Sequence, residues 1–114
     1  MKVKKPLYNQ ERTGKVTYND DIVKGIVVLA VSEVQGVSLN NGKKDKLDNI
    51  EVDFNGNDVI VDVTVDITFG FNVPDVAYDV QDSVKRNVEA MSRYKVKSVN
   101  VHVDDVCFQD VTNQ

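Results

Sequence analysis

From position 58 to 69 apolar and polar residues alternate almost without a break. Val59, Val61, Val63, Val65, Ile67 and Phe69 take the odd positions. Asp58, Asp62, Thr64, Asp66 and Thr68 take the even ones, with Ile60 the exception. Successive side chains of an extended chain point to opposite faces, so this pattern predicts a long strand with one dry and one wet face, ended by Gly70. Upstream, Ile50, Val52 and Phe54 alternate with Glu51 and Asp53. Asn55-Gly56-Asn57 then supplies residues that tolerate positive φ, which predicts a hairpin. Near the end, Val99, Val101 and Val103 alternate with Asn100, His102 and Asp104, giving a last strand over 95–106. Val96 and Val106 fall out of that register, which predicts bulges near Lys97 and Asp105. Gly14 to Tyr18 and Val37 to Leu39 read as short strands, the first at a sheet edge. The polar residues 40–49 read as a loop.

Two stretches change period. Ile22, Val23, Ile26, Val27, Ala30 and Val34 recur at helical spacing behind Asn19-Asp20-Asp21, whose side chains suit a helix start. Val28, Leu29 and Val31 fill most of the gaps, so helix one, over 20–34, is expected to be buried on more than one side. Its β-branched content opposes helix formation locally, and packing must override that preference. Gly36 suits its C-terminal cap. Val73-Pro74-Asp75 opens helix two over 73–92, because proline at a first helical position forfeits no hydrogen bond. Val73, Ala77, Val80, Val84, Val88 and Met91 form its apolar stripe.

Striped helices and half-dry strands predict an α+β fold: a two-layer sandwich with two helices on one face of a small mixed β-sheet. Strand 58–69, helix 73–92 and strand 95–106 make a crossover unit, so those two strands should run parallel if they share the sheet. The domain reading is a flexible basic tail over 1–13, one domain over 14–108 and a short tail over 109–114.

Composition narrows the partners. The 114 residues suit a single core. With only 7% aromatics and no Trp, that core must be aliphatic. A net charge of −4 argues against non-specific nucleic-acid binding, which needs a cationic face. The single cysteine, Cys107, excludes an intrachain disulfide and fits a reducing, cytoplasmic setting. The basic N-terminus is followed by no secretory apolar run, and the longest apolar run, Ile26 to Val31, is too short to span a bilayer.

The residues suggest no reaction centre and no cofactor. Asp58, Asp62 and Asp66, with Glu51 and Asp53 on the hairpin partner, could offer oxygen ligands, but residues two apart on a strand face lie about 7 Å apart. One ion cannot bridge such a row, and a solvated acidic face is the plainer reading. His102 has no second histidine to share a metal, and a surface histidine is the expected reading, with a cross-strand hydrogen bond to Asp62 or Asp66 open to it. Acidic neighbours would hold the Cys107 thiol protonated, against a nucleophilic role. Two charged sets remain as a candidate interaction surface. Lys43, Lys44 and Lys46 could meet phosphate or a lipid headgroup. Asp75, Asp79 and Asp82, on the exposed side of helix two, could dock a basic partner. For both, ordinary solvation is the competing reading.

Several segments together resemble one family. Gly-Lys-Val-Thr-Tyr-Asn-Asp-Asp-Ile-Val (14–23) and Val-Ser-Glu-Val-Gln-Gly-Val (31–37) are similar to the opening of the bacterial alkaline shock, or Gls-type envelope stress response, proteins. Thr68-Phe69-Gly70, Asn-Val-Pro-Asp-Val-Ala (72–77), Val88-Glu89-Ala90-Met91 and Ser-Val-Asn-Val-His-Val (98–103) continue the likeness over roughly 14–108. The resemblance implies a non-enzymatic cytoplasmic protein of Gram-positive bacteria, acting in envelope stress and homeostasis. It implies self-association and a membrane-anchored partner protein that holds the chain near the membrane. The ending Val-His-Val … Val-Cys-Phe (101–108) is nearer to a branch connected with fatty-acid precursor metabolism. The alternative is therefore a regulatory protein acting on a lipid-synthesis enzyme. The family has no defined catalytic residues, so none carries over.

Overall fold

The computed structural model describes residues 20–39 and 46–107. In chain order these form helix α1 (Asp20–Ser32), strand β1 (Val37–Ser38), a 3-10 turn (Lys46–Asn49), strands β2 (Ile50–Asn55) and β3 (Asp58–Thr68), helix α2 (Val73–Met91) and strand β4 (Lys95–Cys107). The strand expected at Gly14 to Tyr18, the cap at Asn19 and both tails lie outside the described residues.

β3 is the axis of the sheet. It pairs antiparallel with β2 from Asn55↔Asp58 to Ile50↔Val63, and antiparallel with β1 at Val37↔Ile67 and Ser38↔Asp66. It pairs parallel with β4 along its whole length, from Asp58↔Lys95 to Thr68↔Cys107. One edge of β3 is thus shared end to end by β2 and β1, and β4 holds the other. The sheet is mixed, as expected from the crossover through α2. The two-residue turn Gly56-Asn57 closes the hairpin, with Gly56 at φ +64°. The register slips twice against β4. Lys97 is extra between Val96↔Val59 and Ser98↔Ile60, and Asp104 is extra between Val103↔Val65 and Asp105↔Asp66. The out-of-phase valines had marked both bulges to within a residue.

The dry face is almost entirely aliphatic. Val59, Val61, Val63, Val65 and Ile67 of β3 are fully buried beneath Val23, Val27, Ala30 and Val31 of α1 and Val76, Val80, Val84 and Val88 of α2. Valine side chains lose little freedom on burial, so a β-branched core orders cheaply even where it opposes helix formation. The helices are joined directly: the Ser83 hydroxyl, buried in α2, donates to the Ala30 carbonyl of α1 at 2.8 Å. Asn72 caps α2, its side-chain oxygen accepting from the Asp75 N–H at 3.1 Å, with Pro74 in the first turn.

Three expectations need correction. Helix one is not buried on several sides: Ile22 and Leu29 are 49% and 42% exposed, on the flank turned away from α2 and the sheet. The stripe of helix two runs through Val76, Val80, Ser83, Val84 and Val88. Ala77 is half-buried and Met91 exposed, since the sheet lies on the Val76 side of the first turn. Phe69 does not continue β3. The strand stops at Thr68, and Phe69 stands exposed in the turn, where Gly70 takes φ +101°.

Candidate functional site

The loop leaving α1 and the loop entering α2 meet at one end of the sandwich. Gly36 sits at φ +86°, a backbone region that disfavours side chains, and its carbonyl accepts the Thr68 N–H at 2.8 Å. A Cβ on Gly36 would stand 2.5 Å from the ring of Phe71. The close approach lays Phe71 against the loop that leaves α1, and the two loops leave an open groove of about 480 Å³ between the helices. Its apolar floor is Val34, Phe71 and Val76.

One wall is the first three turns of α2. Asp75, Asp79 and Asp82 recur at spacings of four and three, so they share one flank of the helix, and all three line the groove. Glu33 faces them from the end of α1. Arg86 is the one cationic lining residue, and it reaches back to Asp82 at 3.0 Å. The groove is therefore acidic with an aromatic floor. Of the charged sets read from the sequence, the structure gathers the carboxylates of α2 into this groove. Lys43 and Lys44 lie outside the described residues, and Lys46 is placed only as the start of the 3-10 turn. The floor was missed in the sequence because Phe71 and Val34 sit in loops, where no periodicity announces a shared surface.

The wet face of the sheet carries a second polar set. Asp62 accepts from Asn100 Nδ2 at 3.0 Å and pairs with His102 Nε2 at 3.1 Å across β3 and β4. These hydrogen bonds, with the His102 bond the larger cause, hold the Asp62 carboxyl below its ordinary value. Asp66 is 5% exposed, and its Oδ1 has no hydrogen-bond partner among the described residues. Burial first, then the nearby charges of Asp104 and Asp105, push its carboxyl up. Among the described residues no three acidic, His or Cys side chains stand together as a metal site. His102 is an exposed surface histidine bonded to Asp62, one of the two partners its strand position offered. Among the described residues no helix is long and apolar enough to cross a membrane.

Three comparisons place this chain among known proteins. A family model of cell envelope-related function, that of alkaline shock protein 23, matches residues 8–108. A protein of Bacillus subtilis, the uncharacterized protein YqhY, is 26% identical over 111 residues, covering 83% of this chain and 78% of that protein. A stress response regulator gls24 homolog of Streptococcus pyogenes is 30% identical over 105 residues. That match covers 82% of this chain but 59% of the regulator, so the relative is considerably longer. Among solved structures, the MamM C-terminal domain variant E289A superposes with a TM-score of 0.51 at 20% identity, over 76% of this chain and 99% of that one. At that identity the likeness shows a shared fold alone. The sequence likeness covers nearly the whole described fold, and the chain belongs to the alkaline shock protein 23 family of cell envelope-related proteins.

Proposed function

We propose that this chain is a non-enzymatic, cytoplasmic envelope-stress protein that works by self-association and by docking a partner in the groove between α1 and α2. The observation that supports the docking site is the meeting of four carboxylates, Glu33, Asp75, Asp79 and Asp82, with an aromatic floor at Phe71. An acidic wall selects a cationic partner and speeds its encounter, while a half-exposed aromatic supplies contact area at low entropic cost. The partner of best fit is a basic segment with one large apolar residue, such as the cytoplasmic end of a membrane-anchored protein. The loop lysines Lys43, Lys44 and Lys46 are a secondary surface for anionic groups. Residues 14–108 form the single working domain.

The test is a tagged pull-down after mild crosslinking in the native cell, comparing wild type with the triple variant Asp75→Lys, Asp79→Lys, Asp82→Lys. A membrane-anchored protein recovered with wild type and lost with the triple variant supports both the function and the groove. Equal recovery by the variant removes the groove as the site. A soluble lipid-synthesis enzyme as the main partner, with no membrane protein, replaces the scaffold reading with the regulatory one.

A further inference from the structure

The groove between α1 and α2 has a direction. Asp82, Asp79 and Asp75 follow one another toward the N-terminus of α2, and Phe71, 43% exposed, lies just ahead of that helix. At 1.5 Å per residue the three carboxylates span about 10 Å. A ligand that fits carries cations over about that length, with a large apolar group directly after them.

One segment of this chain has that order. Residues 1–13 hold Lys2, Lys4, Lys5 and Arg12 against one acid, Glu11, in a chain whose net charge is −4. Laid extended, Lys2 to Lys5 covers about 10 Å, and Leu7 and Tyr8 follow after Pro6. The other basic set, Lys43, Lys44 and Lys46, lies in the short connection between β1 and β2, and residues 108–114 carry no cation. Reach is sufficient. Twelve residues lead from Tyr8 to Asp20, where α1 begins, and an extended chain of that length spans about 40 Å. The 13 residues of α1 are about 20 Å long, and the groove opens past its far end, at Glu33 and Val34. A tether this short holds its end near the groove at a local concentration on the order of millimolar.

We infer that residues 2–8 dock in the groove of their own chain, with Lys2 toward Asp82, Lys5 toward Asp75, and Leu7 and Tyr8 on Phe71. Each exposed ion pair contributes little alone, so the contact is reversible and sensitive to salt. The segment is then a resident ligand that a basic partner must displace. This rests on the groove reading in the proposed function, and it adds what regulates access to that groove.

The experiment uses the full chain in two measurements, with circular dichroism confirming each variant folded. In the first, a nitroxide at Asn9→Cys, in a Cys107→Ser background, reports through relaxation of backbone amides. The amides of Phe71, Asp75 and Asp79 should broaden when label and isotope share one molecule. The broadening should disappear in the triple variant Lys2→Glu, Lys4→Glu, Lys5→Glu, and in about 0.5 M salt. In the second, a synthetic peptide of residues 1–13 is titrated. It should bind that triple variant at least about tenfold more tightly than wild type, and should not bind Asp75→Lys, Asp79→Lys, Asp82→Lys. Equal peptide affinity for wild type and the lysine variant, with no broadening, overturns the self-docking and leaves the groove a site for basic peptides. Broadening that needs label and isotope on different molecules overturns it in favour of docking between copies. A peptide that binds neither protein sinks both this inference and the groove reading.

Discussion

At the residue scale, single atoms decide the behaviour of two positions. Gly36 is required twice, by its φ of +86° and by Phe71 pressed 2.5 Å from where a Cβ would stand. Gly36→Ala is expected to cost roughly 1–3 kcal/mol and to displace the groove floor. A denaturant titration measures the first effect, and weaker partner capture by a folded Gly36→Ala protein measures the second. Asp66 is the opposite case, a carboxylate whose burial works against the fold. Its raised folded-state value means that the penalty is full once pH exceeds that value and vanishes as pH falls below the unfolded one, near 3.8. Asp66→Asn should therefore stabilise the protein at neutral pH by on the order of 1 kcal/mol and give no gain in acid. Equal gains at both pH values would show that the charge is not the cause.

At the element scale, the helices and strands are held by a few polar fasteners set in an aliphatic core. Glu89 is one. Its carboxylate caps the Val96 N–H where β4 begins, and that bond, ahead of the Lys85 pair at 3.3 Å, holds its carboxyl below the ordinary value. A depressed carboxyl contributes stability that is fully present above its unfolded value and is lost as pH falls through the folded one. Glu89 and Asp62 share this sign, so unfolding should become easier below about pH 4. Glu89→Gln should lower stability at neutral pH by roughly 1 kcal/mol and flatten that acid slope, as read from denaturation midpoints across the acid range. Ser83 is the other fastener. Ser83→Ala leaves a buried α1 carbonyl without its donor from α2, at a cost of about 1 kcal/mol, visible in thermal melts.

At the scale of the whole molecule, the fold separates two kinds of surface. The helix layer ends in an acidic groove, and the wet face of the sheet carries the hydrogen-bonded set of Asp62, Asn100 and His102. The two lie on different elements, the groove between α1 and α2 and the polar set on β3 and β4. The core that supports both is continuous. Val63, fully buried in the central strand, is expected to lose about 2 kcal/mol on substitution by alanine. Because the sandwich shares one core, that loss should appear as a single lowered melting transition rather than local fraying.

The amino-acid sequence alone determined the two long helices, the three long strands, the two faces of the central strand and the family. Alternation over 58–69 set the central strand, the out-of-phase Val96 and Val106 marked its neighbour's bulges, and Val73-Pro74-Asp75 opened α2, because each is a short-range pattern written in consecutive residues. The carboxylates of α2 were legible too, as one flank of a helix. What the sequence did not contain is which residues from distant loops share a surface. Phe71 meets Gly36 and Val34 only after both helices pack on the sheet. Val76 replaces Ala77 as the buried position because the sheet, not the helix period, chooses the facing angle. Strand order is likewise fixed by long-range pairing that no local pattern encodes.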